Sequence, residues 1–221
     1  MERKIIITAD GSATVSDARY DATYHSRFGA LQESRHVFIA AGMDYCCSRR
    51  PAGHLRVFEM GLGTGLNALL TRRYAKAHHC SVYYEALECF PLSLAETELL
   101  NYAELLPDEA PSFRQLHAAA WDRAEDLGDG FILKKVRADL LQYVFGEKFD
   151  LIYYDAFAPD VQPELWSVAV FRKLYDALGH PGVLATYCSK GDVRRAMQQV
   201  GFRVEKLPGP PGKREILRAL K

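Results

Sequence analysis

The stretch HLRVFEMGLGTGLNALLTRRYA, residues 54–75, constrains the fold more than any other part of the chain. A largely apolar run carries Glu59 near its end, glycines follow at every second position (Gly61, Gly63, Gly65), and helical spacing begins at Leu66. That pattern describes a strand feeding a helix through a tight turn with no side chains in the way. Such a unit needs parallel neighbours to bury its faces. The sequence supplies them: CSVYYEALE (80–88), FILKKVRAD (131–139), KFDLIYYDAF (148–157) and GVLATYCS (182–189) each read as a strand. PLSLAETELLNYAELL (91–106), QPELWSVAVFRKLYDALG (162–179) and GDVRRAMQQVG (191–201) read as helices, with Pro163 suited to a first turn and Gly201 to a stop. SFRQLH (112–117) reads as a further short strand, and GDG (128–130) as a turn. The last two strands, FRVEKL and REILRAL, share only the loop PGPPGK and should form an antiparallel hairpin. The expectation is an α/β fold: a mostly parallel, doubly wound sheet with a C-terminal antiparallel hairpin.

Ahead of it, KIIITADGSATVSD predicts a β-hairpin turning at Asp10-Gly11, a favoured type I′ pair. ALQESRHVFIAAGMDYCC predicts a helix, broken by RPAG at 50–53. With no repeat or linker in view, residues 1–221 read as one domain, an extension over 1–53 and a core over 54–221.

Composition removes several function classes. Lys+Arg and Asp+Glu are 28 each, so overall charge advertises no polyanion, and any nucleic-acid contact must come from a local patch. No apolar stretch approaches a membrane span of roughly 18 residues, and the start MERKIIITADGS lacks a signal-peptide pattern. Five cysteines without a C-x-x-C pair suit free thiols in the cytoplasm, and neither cysteine nor histidine spacing supports a metal site.

The glycine turn fits no dinucleotide fingerprint, because Leu66 stands where the third glycine of G-x-G-x-x-G belongs, and no G-K-[ST] follows for a P-loop. A leading acid suits a cationic ligand, and S-adenosylmethionine carries both a sulfonium and an α-amino group. Gly61, Gly63 and Gly65 would let the backbone approach it, Glu59 would draw the amino group, and Asn67 joins the cofactor candidates. The ribose hydroxyls ask for a carboxylate at the end of the second strand. Glu88 stands there, with Glu85 as a competitor inside the strand. Asp139, ending KKVRAD, is placed for the adenine amino group. Asp155, at the exit of LIYY and followed by Ala-Phe-Ala-Pro, is the catalytic candidate. Its carboxylate would orient an amine, and Phe157 would stack a base. Core or loop packing is the bland alternative for Phe157 and Trp166.

Six stretches together, YHSRFGALQESRHVF, FEMGLGTGLNALLT, YYEALECFPL, YYDAFAPDVQPELW, LATYCSKGDVRRAMQQVGF and PGPPGKREILRA, are similar to the MnmD family, the methyltransferase part of the bifunctional wobble-uridine enzyme MnmC. The resemblance implies a Rossmann-like class I S-adenosylmethionine-dependent methyltransferase. It would convert 5-aminomethyl-(2-thio)uridine of tRNA to 5-methylaminomethyl-(2-thio)uridine. It also implies a separate FAD-dependent oxidase as a partner, since the family's fused oxidase has no counterpart before Lys221 and FAD oxidase activity is expected to be absent. Tyr24, Glu33 and Tyr187 become polar pocket candidates. Lys190, Arg194, Arg195, Lys213 and Arg214 become candidates for the anticodon loop, with solvated surface charge as the alternative for each. Two other readings stay open: a methyltransferase or aminopropyltransferase acting on a small amine, and a non-catalytic cofactor-binding partner of an oxidase. The family loop often reads GFGRKREM where this chain has GPPGKREI, and CSKG adds Lys190 to a more neutral family turn.

Overall fold

The computed structural model describes residues 3–50 and 53–221; Pro51 and Ala52 of the expected helix break lie outside the described residues. Eight strands form one sheet in the order β10-β11-β9-β8-β4-β5-β7-β6. Its parallel centre is β4 (His54–Met60), β5 (Ser81–Leu87), β7 (Phe131–Val136), β8 (Phe149–Tyr154) and β9 (Leu178–Thr186). At one edge β11 (Glu215–Leu220) runs antiparallel to β9 and to β10 (Arg203–Pro208), the expected hairpin. At the other, the short β6 (Ala124–Asp126) pairs antiparallel with β7, a strand the sequence pattern had not suggested.

The central strands are apolar on both faces, as sheet covered on both sides requires. Val57, Leu151, Tyr153 and Ala185 share one buried cluster with Phe38, Leu69 and Phe113. Their neighbours Phe58, Ile152, Tyr154 and Leu184 share the other with Phe171, Leu174 and Met197. The first face is covered by α3 (Leu66–Ala77), α6 (Ala110–Ala118) and a rod that begins as α1 (Ala30–Ser34), widens to a π-helical segment (Arg35–Asp44) and ends as α2 (Tyr45–Ser48). The second is covered by α7 (Val168–Ala177) and α8 (Gly191–Gln199).

Four local expectations need correction. SFRQLH is not a strand but lies within helix α6, where Pro111 sits in the first turn and Phe113 and Leu116 bury one face three residues apart. The segment 91–106 is two short helices, α4 (Leu94–Glu98), closed by a Ser93–Glu96 capping box, and α5 (Tyr102–Leu105). The helix over 162–179 is likewise divided: Pro163–Trp166 is a 3-10 turn, and Ser167 caps α7. The first hairpin, β1 (Arg3–Ile7) with β2 (Ala13–Asp17), does not turn as type I′. Only Gly11 of the Asp10-Gly11 pair has positive φ (83°), and Gly11 N donates to Thr8 O at 3.0 Å. This is the three-residue loop closed by a left-handed glycine.

A small sheet of β1, β2 and β3 (Ala22–Thr23) is tied to the main body rather than left beside it. Asn101 Oδ1 accepts from Ala13 N, and Asn101 Nδ2 donates to Gly11 O, both at 2.8 Å. The buried Tyr102 hydroxyl donates to Ala13 O at 2.7 Å. These bonds hold the segment carrying Tyr20, Tyr24, His25 and Glu33 over the carboxyl ends of the parallel strands.

Candidate active site

Ligands of open α/β sheets sit beyond the carboxyl ends of the strands. Met60, Leu87 and Tyr154 lie in register at those ends, so the next residues, Gly61, Glu88 and Asp155, leave the sheet side by side. They open on a cavity of about 560 Å³, a size suited to a small-molecule ligand. Gly63, Asn67, Asp139 and Phe157 also line it, and the N-terminal extension roofs it with Tyr20, Tyr24, His25 and Glu33.

The three glycines turn out to serve different neighbours. Gly61 has φ 88°, and a Cβ there would meet the Asp155 carbonyl at 2.9 Å. Gly63 has φ 52°, and a Cβ there would meet the Tyr24 ring at 3.2 Å. Gly65 is off the cavity wall; its φ of 74° turns the chain into α3, and a Cβ would strike Leu116 at 2.9 Å. The missing side chain leaves room for α6 to pack closely there.

The acids separate in the same way. Glu59 is fully buried behind the wall, where it accepts from Asn67 Nδ2 at 2.9 Å. Loss of water pushes its pKa well above the ordinary range. Glu59 is not among the residues lining the cavity, but it is bound to Asn67, which is. The same Asn67 amide donates to Asp155 Oδ2 at 3.1 Å, while Asn67 Oδ1 is buried with no hydrogen-bond partner among the described residues. Glu85, the competitor, is turned away from the cavity and bound by Lys134 Nζ at 3.0 Å and by the hydroxyls of Tyr83 and Tyr143. Glu88 stays at the wall: its Oε2 accepts from Gly63 N at 3.0 Å and its Oε1 from Phe90 N at 2.8 Å. Asp139 accepts from Leu141 N at 2.9 Å, starting the turn that places it at the cavity.

Asp155 is half-buried and held from several sides. Burial and the nearby Glu33 carboxylate push its pKa up, against Lys213 and the Asn67 hydrogen bond, to about 8. The loop after it is pinned by Trp166 Nε1 donating to Phe157 O at 2.7 Å and Tyr187 Oη donating to Ala156 O at 2.8 Å. Trp166 is therefore core, packed edge-on against Tyr154. Phe157 sits against Tyr20, centroids 4.5 Å apart, and edge-on to Tyr24 at 5.4 Å.

The basic residues divide sharply. Lys213 is not on an outer face: its ammonium lies inside the cavity, 2.5 Å from Glu33 Oε1 and 3.8 Å from the Tyr187 ring centroid. The β10–β11 loop folds back under the N-terminal extension, a placement local sequence does not encode. Arg214 is exposed. Lys190 pairs with Asp160, and Arg195 with Asp192, both on the surface and away from the cavity wall, while Arg194 is half-buried on α8. Sequence reasoning missed Tyr20 and His25 as wall residues; the aromatic-rich run YDATYH in a polar setting was the available signal. His25 is kept neutral by burial, its pKa lowered to about 4, and its Nδ1 lies 2.9 Å from Thr14 Oγ1. Among the described residues no cluster of three His, Cys, Asp or Glu side chains is placed to hold a metal.

Strand order, glycine turn and acids at successive strand ends define a class I S-adenosyl-L-methionine-dependent methyltransferase. Residues 112–221 match the family described as "S-adenosyl-L-methionine-dependent methyltransferase". More particularly, the chain is 32% identical over 211 residues to the tRNA 5-methylaminomethyl-2-thiouridine biosynthesis bifunctional protein MnmC of Ectopseudomonas mendocina (strain ymp), covering 90% of this chain and 32% of that protein. The MnmC of Aromatoleum aromaticum (strain DSM 19018 / LMG 30748 / EbN1) is 31% identical, covering 97% of this chain and 35% of the relative. The chain thus spans about a third of the length of the curated relatives it matches. The crystal structure of MNMC2 from Aquifex aeolicus superposes with a TM-score of 0.75 at 24% identity, covering 99% of this chain and 70% of that one. Spermidine synthase from Thermotoga maritima shares the fold at a TM-score of 0.56 and 15% identity, covering 100% and 79%.

The cavity fits the family's cofactor on its own geometry. It offers a side-chain-free wall at Gly63, an unpartnered buried acceptor at Asn67 Oδ1, and carboxylates at Glu88 and Asp139. Acceptors of this kind suit a ligand with an ammonium, ribose hydroxyls and an exocyclic amine.

Proposed function

We propose that this protein is a cytoplasmic S-adenosylmethionine-dependent tRNA methyltransferase. In this reading it converts wobble 5-aminomethyl-(2-thio)uridine to 5-methylaminomethyl-(2-thio)uridine, and a separate FAD-dependent oxidase supplies the amine. We read residues 54–221 as the methyltransferase core and 1–53 as an extension that completes the acceptor end of its cavity. The observation that carries the reading is Asp155, a carboxylate at a strand exit whose protonation is raised by burial and which faces the same cavity as the cofactor acids. An alkylammonium entering beside it restores the ionised carboxylate, whose proton passes to solvent, and the paired charges then hold the nitrogen in place until its own proton passes to solvent as well.

In this reading Glu88 holds the ribose hydroxyls, Asp139 the adenine amine, Asn67 the amino group, and Glu59 fixes Asn67. The cofactor supplies an electrophilic methyl group; this chain contributes alignment, worth up to roughly 7–11 kcal/mol in ideal cases. Arg214, Arg194, Arg195 and Lys190 remain the residues proposed for phosphate contact, while Lys213 leaves that set because its charge is engaged inside the cavity.

Glu88→Ala is expected to weaken S-adenosylmethionine binding tenfold or more by isothermal titration, since charge-assisted hydrogen bonds contribute about 1.5–3 kcal/mol. The variant also frees Gly63 N and Phe90 N, so the loss includes some loop order. Unchanged affinity would remove Glu88 from the cofactor site.

The test of the function is nucleoside mass spectrometry. Purified protein with S-adenosylmethionine and aminomethyl-uridine tRNA should produce methylaminomethyl-uridine, and tRNA from a deletion strain should accumulate the unmethylated amine. Methylation or aminopropylation of polyamines with none of tRNA would replace this reading with the small-amine one.

A further inference from the structure

Asp155, Glu33 and Lys213 stand together at the acceptor end of the cavity, while the other cation on its wall, Arg19, is paired with Asp17. Asp155 follows β8; Glu33 comes from α1, with its Oε2 accepting from Ser26 N at 2.7 Å. Lys213, from the β10–β11 loop, pairs with the other Glu33 oxygen and lies over the Tyr187 ring. All four side chains line one cavity, and Glu33 and Lys213 are both close enough to Asp155 to act on its charge. The remaining polar groups around Asp155 are Asn67 from α3, Glu59 from β4 behind it, Tyr84 from β5 and the neutral His25 of the extension. None of these is a second cation.

The charge count is then fixed. Lys213 neutralises Glu33, and one carboxylate, Asp155, is left to be matched. The ammonium of Lys213 is itself a primary alkylammonium on a flexible stem, held by a carboxylate and an aromatic face, as a free amine is recognised.

We propose that Lys213 is a specificity-determining residue: a built-in ammonium that fills the Glu33 subsite, so that the cavity accepts one substrate amine at Asp155 and excludes diamines. This rests on the reading of Asp155 as the amine subsite. Without Lys213 the acceptor end offers two carboxylates, Asp155 and Glu33, to two ammonium groups, the complement of an extended diamine, while Glu88 and Asp139 serve the cofactor end. The arrangement also explains why a cation sits inside a site meant for a cationic substrate. It cancels the carboxylate that would otherwise hold a competing polyamine.

The experiment is binding of 1,4-diaminobutane by calorimetry to protein saturated with S-adenosylhomocysteine. Lys213→Met keeps the length and the packing over Tyr187 while removing the charge. It should bind the diamine at least tenfold more tightly than wild type. Lys213→Arg, which keeps the charge, should bind it as weakly as wild type. Adding Glu33→Gln to Lys213→Met should remove the gain. Lys213→Gln gives the same readout if the methionine variant does not fold, folding being checked by circular dichroism. A diamine affinity in the folded variant no better than wild type overturns the proposal, as does a gain that survives Glu33→Gln. The readout needs no RNA, so failure of wild-type protein to methylate tRNA would remove the proposed substrate while leaving this result to be judged by itself.

Discussion

Asp155→Asn should lower single-turnover methylation of aminomethyl-uridine tRNA by at least about 10²-fold at neutral pH, the lower range for positioned acid–base groups. The substitution keeps the size and most of the hydrogen bonding, including an acceptor for Asn67 Nδ2, and removes only the charge. Cofactor binding should change much less than turnover. Residual activity should rise with pH, because a growing fraction of the amine is then neutral without help. In the ligand-free protein the sign of the stability effect is opposite. A carboxyl whose folded pKa is raised to about 8, from an unfolded value of about 4, favours folding while protonated. That contribution is complete below about pH 4 and is lost as pH rises through about 8. Asp155→Asn should therefore flatten the fall in Tm over that window and leave the empty protein at least as stable as wild type on the alkaline side. Wild-type turnover in Asp155→Asn would remove the residue from catalysis. An unchanged pH–Tm profile would show that its carboxyl is already ionised in the empty cavity.

Gly63→Asp should cost S-adenosylmethionine affinity at least about 10²-fold, near 3 kcal/mol. The backbone there has φ 52°, a left-handed conformation that aspartate tolerates better than most residues, so the fold should survive. The side chain is the problem. Its Cβ already meets the Tyr24 ring at 3.2 Å, so the carboxylate must enter the cavity, beside the Glu88 oxygen that holds residue 63 N at 3.0 Å. Volume and like charge then oppose the ligand together. Gly63→Ala tests the division: it carries the backbone strain and the Cβ contact without the carboxylate, and should lose distinctly less. Isothermal titration on folded variants reads both. Wild-type affinity in Gly63→Asp would place the cofactor elsewhere.

The sequence by itself determined the parallel βα core, the antiparallel C-terminal hairpin and the row of Gly61, Glu88 and Asp155 at the strand exits. That information is local. A residue that ends an apolar strand run in a parallel sheet must emerge at its carboxyl edge, whichever neighbours the strand acquires. Period and turn chemistry were weaker guides where segments are short: SFRQLH is too short to tell strand from helix by itself, and in the fold Phe113 packs edge-on to Tyr102 of α5 from helix α6. Tertiary structure alone decided what stands behind or across from those exits. Glu59 and Glu88 look equivalent in the chain, yet one is fully buried and the other lines the cavity. Gly65 belongs to the same glycine pattern as Gly63, but the space it spares faces Leu116 rather than Tyr24. Lys213 reads as a surface charge in a proline-glycine loop. It becomes an interior cation because antiparallel pairing of β11 with β9 returns the loop to the site, where Glu33, 180 positions earlier, is already waiting under the N-terminal sheet. Contacts of that sequence separation depend on how the whole chain closes, which no window of periodicity contains.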